Sequence, residues 1–600
     1  MISLRSCSKN LINTIYLNQN EKFNKKLFKA LTQPFSNSHN EYNFQSFSES
    51  KSCPFLKHEN KNNGKNLSLK TSYHNHQPLP QTNKYNFVNK FKSIFNFLTK
   101  KNLQSTDQLN YSQIPNASTV FPVLTSILRL SLNGGVSQLH KHCDKLHKKF
   151  GSIYKERLGP IEALFIADDQ LIKQVFKQED HMPVHMIPEP WIIYNEVKKV
   201  QRGLFFLNGE SWKKQRTCLN GLFLKKGALS DYMSFFTNVI DDMLYSWEES
   251  LDDKNSLIIP ELEKQLYSWS IESLGTVIFG RRLGCIPEYL KMNKNPKQDR
   301  EQEFQNHHKI SKMQEEFNSA VRQIFIETGK MQLFPAKLAY KFNLPVWRRF
   351  VEANNKALEI AKNYVEENIQ EHEQNSTINK QEIGILNQLL KYPSLKGPQL
   401  NNIITDLFLA ATDTTSHSTQ WALYLIAKNP ECQDKILAEL KSVLKEGEQL
   451  GEKHLKNLDY VRGVIKETLR LYPVAPFISR IFSKDINVGG YQIPKNKLVC
   501  FSLYTIGRME KHYQDANKFL PERWIRNEKR KKVNSYAYIP FALGSRSCIG
   551  KKVAEAQMTF FICKFVSKFK IDLANDEEID IKLRMITTPE KPISIRLIKR

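Results

Sequence analysis

Residues 541–550 read Phe541-Ala-Leu-Gly544-Ser-Arg546-Ser-Cys548-Ile-Gly550, and the chemistry of this one turn governs how the rest of the chain is read. Two glycines bracket a cysteine. They permit backbone turns that other residues resist and let backbone N–H groups approach the sulfur. From Lys551 to about residue 567 the pattern is helical. The N-terminus of that helix points a positive partial charge at Cys548, which favours the thiolate. Arg546 is placed to pair with a carboxylate, and Phe541 to cover the other side of the sulfur. A lone cysteine in a glycine turn is ordinarily structural. The complete string F-x-x-G-x-R-x-C-x-G asks for more: a sulfur on a tight loop, shielded from water, as a metal ligand requires.

Other strings add to this turn. Glu467-Thr-Leu-Arg470 falls in a helical pattern at 458–471, where i and i+3 share a face. Pro521-Glu-Arg523-Trp524 follows downstream. Ala410-Ala411-Thr412-Asp413-Thr414-Thr415 lies inside a long apolar helical pattern at 398–428. A carboxylate and a hydroxyl there are costly without a purpose, although a helical Thr also simply bonds back to a carbonyl. Trp212-x-x-x-Arg216 is an i, i+4 pair able to offer an indole N–H and a guanidinium to one partner. Taken singly, E-x-x-R and W-x-x-x-R are common on ordinary helix faces.

Together these strings resemble the cytochrome P450 family, from about residue 120 to the C-terminus. The resemblance implies a mainly α fold with a small β region, a triangular helical prism with haem between a long distal helix and the proximal Cys-loop helix. Cys548 is then the axial ligand of the haem b iron. Trp212, Arg216, Arg480 and Arg546 are its propionate contacts, while Phe541 and Gly550 complete the haem-binding turn. Asp413 and Thr414 match the family's catalytic acid–alcohol pair, which supplies protons when O2 is activated. Glu467, Arg470 and Arg523 match a buried charged cluster on the proximal side. Such a cluster is costly unless fully paired, so the three should stand or fall together. The family often has Gly where this chain has Ala411, whose methyl narrows the oxygen groove.

Arg462 and Lys466 lie four apart on the Glu467 helix and form one basic patch. Lys551 and Lys552 follow the Cys548 turn. By themselves they are also compatible with a solvated basic face. By resemblance they are where mitochondrial members of the family dock an acidic, adrenodoxin-like [2Fe-2S] ferredoxin, which takes electrons from NADPH through ferredoxin reductase. The strings QRGLFFLNGESW (201–212), QLYSWSIESLGTVIFG (265–280), LYPVAPFISR (471–480), SLYTIGR (502–508) and LPERW (520–524) resemble the insect ecdysteroid 2-hydroxylases of that class. They imply conversion of 2-deoxyecdysone to ecdysone. Two alternatives stay open: a mitochondrial hydroxylase of another sterol or of foreign compounds, and a haem- or steroid-binding protein without oxygenase activity. Asp413-Thr414 argues against the last. Candidate pocket walls are His185–Trp191, Val474–Ile478 and Met585–Thr588.

Composition bounds the remainder. The chain has 600 residues and a formal net charge of +27, of which +11 falls in residues 1–110. A surface this basic suits an acidic partner or an anionic membrane. No nucleic-acid-binding motif accompanies it. Nine cysteines at irregular spacing, with no C-x-x-C pair, argue against a disulfide framework. Residues 1–20 hold Arg5 and Lys9, no acid, and Leu11, Ile12 and Ile15 on one helical face, as in a mitochondrial transit peptide. An Asn/Lys-rich leader to about residue 110 follows, and a low-complexity tail without a targeting role has the same composition. We therefore expect a monooxygenase domain over 115–600, a charged surface insertion at 290–315, and peripheral contact with the matrix side of the inner mitochondrial membrane.

Overall fold

A computed structural model describes residues 109–600 apart from 119–127, 201, 225–226, 228–231, 287–299, 333, 376–383, 393–394, 396–397 and 526–532. The expected transit peptide and all but the last two residues of the leader lie outside the described residues, as do 290–299 of the expected insertion. The helices that frame the site are α1 (Leu139–Phe150), α2 (Glu189–Lys198), α3 (Gly209–Phe223), α4 (Leu262–Phe279), α5 (Arg300–Met331), α6 (Ala336–Lys341), α7 (Pro345–Asn375), α8 (Pro398–Lys428), α9 (Asp459–Leu471) and α10 (Lys551–Lys568). The helical patterns expected at 398–428, 458–471 and 551–567 coincide with α8, α9 and α10 to within a residue. The pattern at 352–372 lies inside the longer α7.

Helix α1 buries His140, His142, Cys143, Leu146 and His147 on one side and stops at Gly151. That glycine has φ +92°, and its N–H returns to the His147 carbonyl at 2.8 Å, a left-handed stop that a Cβ would resist. The chain then forms β2 (Ile153–Leu158) and β3 (Ile161–Ile166), which pair antiparallel across the Gly159-Pro160 turn. With β5 (Phe477–Ile481) and β8 (Leu498–Ser502) they make a sheet of order β2-β3-β8-β5, in which β3 and β8 run parallel. Three smaller sheets stand beside it. One joins β1 (Leu109–Asn110), β7 (Tyr491–Ile493) and β6 (Ile486–Val488). Another joins β4 (Ser256–Ile258), β12 (Ile595–Lys599) and β9 (Phe569–Leu573). The last pairs β10 (Ile581–Leu583) with β11 (Thr587–Pro589).

The helical core is built around α4, of whose 18 residues 14 are buried. A helix apolar on every side belongs in the middle of a domain. It packs along α8, and Ser270 Oγ donates to the Thr412 carbonyl at 3.0 Å. Helix α5 packs along α7. Residues 300–315, read from sequence as surface insertion, open this long helix. Helix α9 lies against the 3-10 turn Pro521–Trp524. Gly463 permits this, since a Cβ there would fall 2.6 Å from the Pro521 carbonyl oxygen. Backbone on both sides leaves nothing free to move aside, so Gly463→Ala should cost about 1–3 kcal/mol of stability, read as a lower urea midpoint with unchanged slope.

Candidate active site

The turn before α10 is drawn tight by its own backbone. The Ala542 N–H donates to the Ile539 carbonyl at 2.9 Å, Ser547 N–H to Gly544 at 3.1 Å and Cys548 N–H to Phe541 at 2.8 Å. Ala542 and Gly544 take φ +57° and +75°. A side chain at Gly544 would also run into the Glu179 carboxylate. Gly550 is the N-cap of α10 and its backbone N–H hydrogen-bonds the Cys548 sulfur. Cys548 has accessible surface, yet the atoms around it desolvate the thiol enough to push its pKa up, against the opposing pull of the Gly550 N–H and of Arg216. A sulfur both accessible and poorly hydrated sits on the wall of a cleft. Here burial outweighs the helix end that was expected to favour the thiolate, so a metal is what would draw the proton off.

Three guanidiniums converge on this turn. Arg216, buried on α3, donates Nη1 to the Ser547 carbonyl at 2.7 Å, and its Nε is buried with no partner among the described residues. Arg546 donates Nε to the Pro183 carbonyl at 2.5 Å, and Nη2 at 2.6 Å to both the Leu207 carbonyl and Asn208 Oδ1. It lies 4.4 Å over the Trp212 ring. Burial, then Arg480 and Arg216, hold its pKa down to about 9. Arg480 on β5 pairs with Glu179 and donates Nη2 to the Leu543 carbonyl at 3.3 Å. Three guanidiniums, two of them buried and one half-buried, facing one carboxylate leave a local excess of positive charge that an anionic group relieves. The donor set, the unused Nε and the adjacent sulfur fit a porphyrin carrying carboxylates and an iron. Glu179 and Asn208 were not found from sequence, because neither belongs to a local pattern.

Beneath the turn, the Glu467 carboxylate is completely engaged. It accepts from Arg470 Nε at 2.9 Å and Nη2 at 2.6 Å, Arg523 Nε at 2.8 Å, Trp524 Nε1 at 2.8 Å and the Leu520 N–H at 3.0 Å. Arg470 also donates to the Gly507, Ala516 and Lys518 carbonyls. Glu467, Arg470 and Arg523 thus come together as expected. Trp524 is a member that sequence reading left out, although it ends the same P-E-R-W string.

On α8, Asp413 is buried, and burial pushes its pKa up to about 6 against the opposing pull of His417. The Thr414 hydroxyl donates to the Ala410 carbonyl at 2.9 Å, the ordinary back-bond of a helical threonine. Thr412 and Thr419 do the same. Ala410 is nonetheless exposed, and Ala411 and Thr414 are half-buried, in a stretch whose neighbours are buried. This turn of α8 therefore faces a cleft. Seven residues earlier, Asp406 takes Arg202 Nε at 2.9 Å and Nη2 at 2.6 Å. Arg202 stands 3.9 Å over the Phe206 ring. This pair, which ties α8 to the segment before α3, carried no sequence signal. Among the expected walls, Val474 and Thr587 are joined by a 2.9 Å backbone bond, the His185 ring meets Phe205 at 5.0 Å, and Trp191 Nε1 donates to Thr328 Oγ1 at 2.9 Å.

Arg462, Lys466 and Lys551 come close enough to influence one another. Arg462 pairs with Asp459. Lys466 lies 5.5 Å over the Trp524 ring, and burial holds its pKa down. Lys551 is exposed, and Lys552 donates to the Leu224 carbonyl. Glu555, missed from sequence, sits within this group: burial pushes its carboxyl up while Lys551, Lys466 and Arg462 pull it down. No helix among the described residues is long and apolar enough to cross a membrane.

The family profile for cytochrome P450 matches residues 115–597, and the chain belongs to that family. A mitochondrial cytochrome P450 of Drosophila melanogaster, 315a1, is 32% identical over 502 residues, covering 82% of this chain and 89% of the relative. The mitochondrial 1,25-dihydroxyvitamin D(3) 24-hydroxylase of Rattus norvegicus is 27% identical, covering 81% and 89%. The mitochondrial cholesterol side-chain cleavage enzyme of Mesocricetus auratus is 28% identical, covering 77% and 85%. The chain is thus a monooxygenase of the mitochondrial class. Because five hydrogen bonds converge on one buried carboxylate, Glu467→Ala should cost about 3–5 kcal/mol. In thermal unfolding it should be far more damaging than Arg462→Ala on the exposed side of the same helix.

Proposed function

We propose that this enzyme hydroxylates carbon 2 of 2-deoxyecdysone to give ecdysone. The reading is supported by the strings at 201–212, 265–280, 471–480, 502–508 and 520–524, together with the Drosophila relative. The observation that carries the chemistry is the Cys548 turn under three guanidiniums. Haem b, once bound, supplies the reduction of O2 and the insertion of one oxygen atom into the substrate. Cys548 would hold its iron through the sulfur, and a thiolate there would supply electron density to it. Arg216, Arg480 and Arg546 bind its carboxylates, with Trp212 beneath Arg546, Phe541 covering the sulfur and Gly550 donating its N–H to it. Asp413, whose pKa burial raises to about 6, takes up and releases a proton closer to neutral pH than an ordinary carboxylate does, and Thr414 passes it inward. The wall segments 185–191, 474–478 and 585–588 exclude water and hold the steroid with one carbon toward the cleft.

Arg462, Lys466, Lys551 and Lys552 form the docking face for an acidic [2Fe-2S] ferredoxin. Ile192 and Val197 on α2, with Leu338, Tyr340 and Phe342 on and after α6, are exposed apolar side chains on helices that pack together. The exposed Lys198, Lys199, Lys337 and Lys341 flank them. This combination supports peripheral contact with an anionic leaflet on the matrix side. A second reading, another mitochondrial sterol hydroxylase, is favoured by the vertebrate relatives, which carry nearly the same identity and are named for other substrates.

With ferredoxin, ferredoxin reductase and NADPH the enzyme should convert 2-deoxyecdysone to ecdysone. Turnover of a different sterol alone would leave the second reading. The reduced, CO-bound enzyme should absorb where thiolate-ligated haem does, and Cys548→Ala should lose both that band and turnover. Arg462→Glu with Lys466→Glu should weaken ferredoxin coupling chiefly at low salt. Unchanged coupling would remove the docking face from the proposal.

A further inference from the structure

Asp413 is buried, and a carboxyl that gives up a proton in each catalytic cycle must be resupplied. One turn along α8, His417 is 5% exposed. Its Nδ1 lies 2.8 Å from the Asp413 backbone carbonyl oxygen. A carbonyl only accepts, so Nδ1 donates a hydrogen to it, which leaves Nε2 to exchange the ring's other proton. Nε2 is buried with no hydrogen-bond partner among the described residues. It stands 3.8 Å from Glu263 Oε1 in the first turn of α4, a side chain 38% exposed. A merely structural histidine has no need of this arrangement. Leaving Nε2 unmet costs the desolvation of a polar atom, and a small rotation of the solvent-facing Glu263 closes the distance.

We propose that Glu263 and His417 form a proton path from solvent to Asp413, and act through it on the oxygen chemistry. The proposal rests on the reading of Asp413 as the proton-holding acid. Glu263 gives its carboxyl proton to Nε2: an O–H bond breaks, an N–H bond forms, and the ring becomes cationic close to the Asp413 carboxylate. Asp413 turns about its side-chain torsions and takes that proton. The N–H bond breaks, an O–H bond forms, and the ring returns to its starting tautomer. A hydronium ion or buffer acid in solvent returns a proton to Glu263, leaving water or the buffer base, and no electrons move. The groups that bear on Asp413 are His417 on its own helix, Glu263 and Tyr267 from α4, and Arg322 from α5. Arg584, beside the terminal sheets, acts with Arg322 and Glu263. Of these, His417 is the one held to Asp413 by a hydrogen bond, through the backbone carbonyl, and Glu263 is the half-exposed acid nearest its Nε2. Both are positioning residues, since neither touches the reacting atoms.

The test uses the haem-loaded enzyme reconstituted with ferredoxin, reductase and NADPH, on whichever steroid it turns over. Asp413→Asn should lower turnover by about 100-fold, and Glu263→Gln and His417→Phe each on the order of tenfold, with a larger solvent deuterium isotope effect. The double variant should be no slower than the slower single. His417→Gln, which can still donate to the Asp413 carbonyl, should be as slow as His417→Phe. A second readout is independent of turnover. The infrared carboxyl band that disappears in Asp413→Asn should titrate at higher pH in His417→Phe and at lower pH in Glu263→Gln. The two changes thus slow the enzyme alike yet move the acid in opposite directions, which general loosening of the fold does not do. Should His417→Phe fail to bind haem, the surface variant Glu263→Gln decides. Full turnover and an unchanged isotope effect in Glu263→Gln, with Asp413→Asn slow, would overturn the path and leave the reading of Asp413 standing. Full turnover in Asp413→Asn would instead remove the reading on which the path rests.

Discussion

Glu467 is fully buried, and a carboxylate in that position survives only if its lone pairs are met. Meeting them recruits Arg470 from its own helix, Arg523 and Trp524 from the turn after 520, and the Leu520 N–H. Gly463, one turn earlier on α9, lets that turn come close enough. From there the constraint spreads toward the sulfur. The Trp524 ring lies 4.4 Å from Tyr538, and Tyr513, under the Arg470 guanidinium, donates its hydroxyl to the Ala537 carbonyl at 3.0 Å. Residues 537–538 lead directly into the turn that ends at Cys548. The carboxylate thus fixes the floor on which the ligand loop stands, with no contact to the sulfur itself.

Above that floor, the electrostatics are asymmetric. The loop side concentrates positive charge in Arg216, Arg480 and Arg546, and is completed by an anionic cofactor. The α8 side holds Asp413, a buried carboxyl whose pKa burial raises to about 6. Burial dominates both shifts and acts in opposite senses on cation and acid. Arg202 and Asp406 are a third case: oppositely charged, joined by two hydrogen bonds to the same carboxylate oxygen and set beside aromatic rings, they neutralise each other and serve as a strut between α8 and the segment entering α3.

Much of this was readable before any coordinates. The helices α8, α9 and α10 announce themselves by periodicity, Gly151 and Gly159-Pro160 by punctuation, and the Cys548 turn by a string whose residue types have one joint explanation. What escaped has a common physical cause. Glu179, Asn208, Arg202, Asp406, Glu263 and Glu555 act on partners brought near by tertiary packing, and a single acid or amide has no local period to betray it. Residues 300–315, expected only as part of a charged surface insertion, are helical; charge without an apolar stripe gives no period to read. Trp524 and His417 were within reach. One closes the P-E-R-W string and the other follows Asp413 at the i+4 spacing.

The Cys548 turn is closed by partners very far away along the chain. Arg216 reaches Ser547 across 331 residues, and Arg546 reaches Pro183 across 363. Contacts of that span are the slowest to form, since the loop they close must first surrender its entropy. The helices can be made locally and early, but the cradle for the iron exists only when the two distant parts of the chain have met. Cofactor capture in this protein therefore belongs to the last stage of folding. The captured group in turn locks together segments that the polypeptide by itself holds with little more than three arginine side chains.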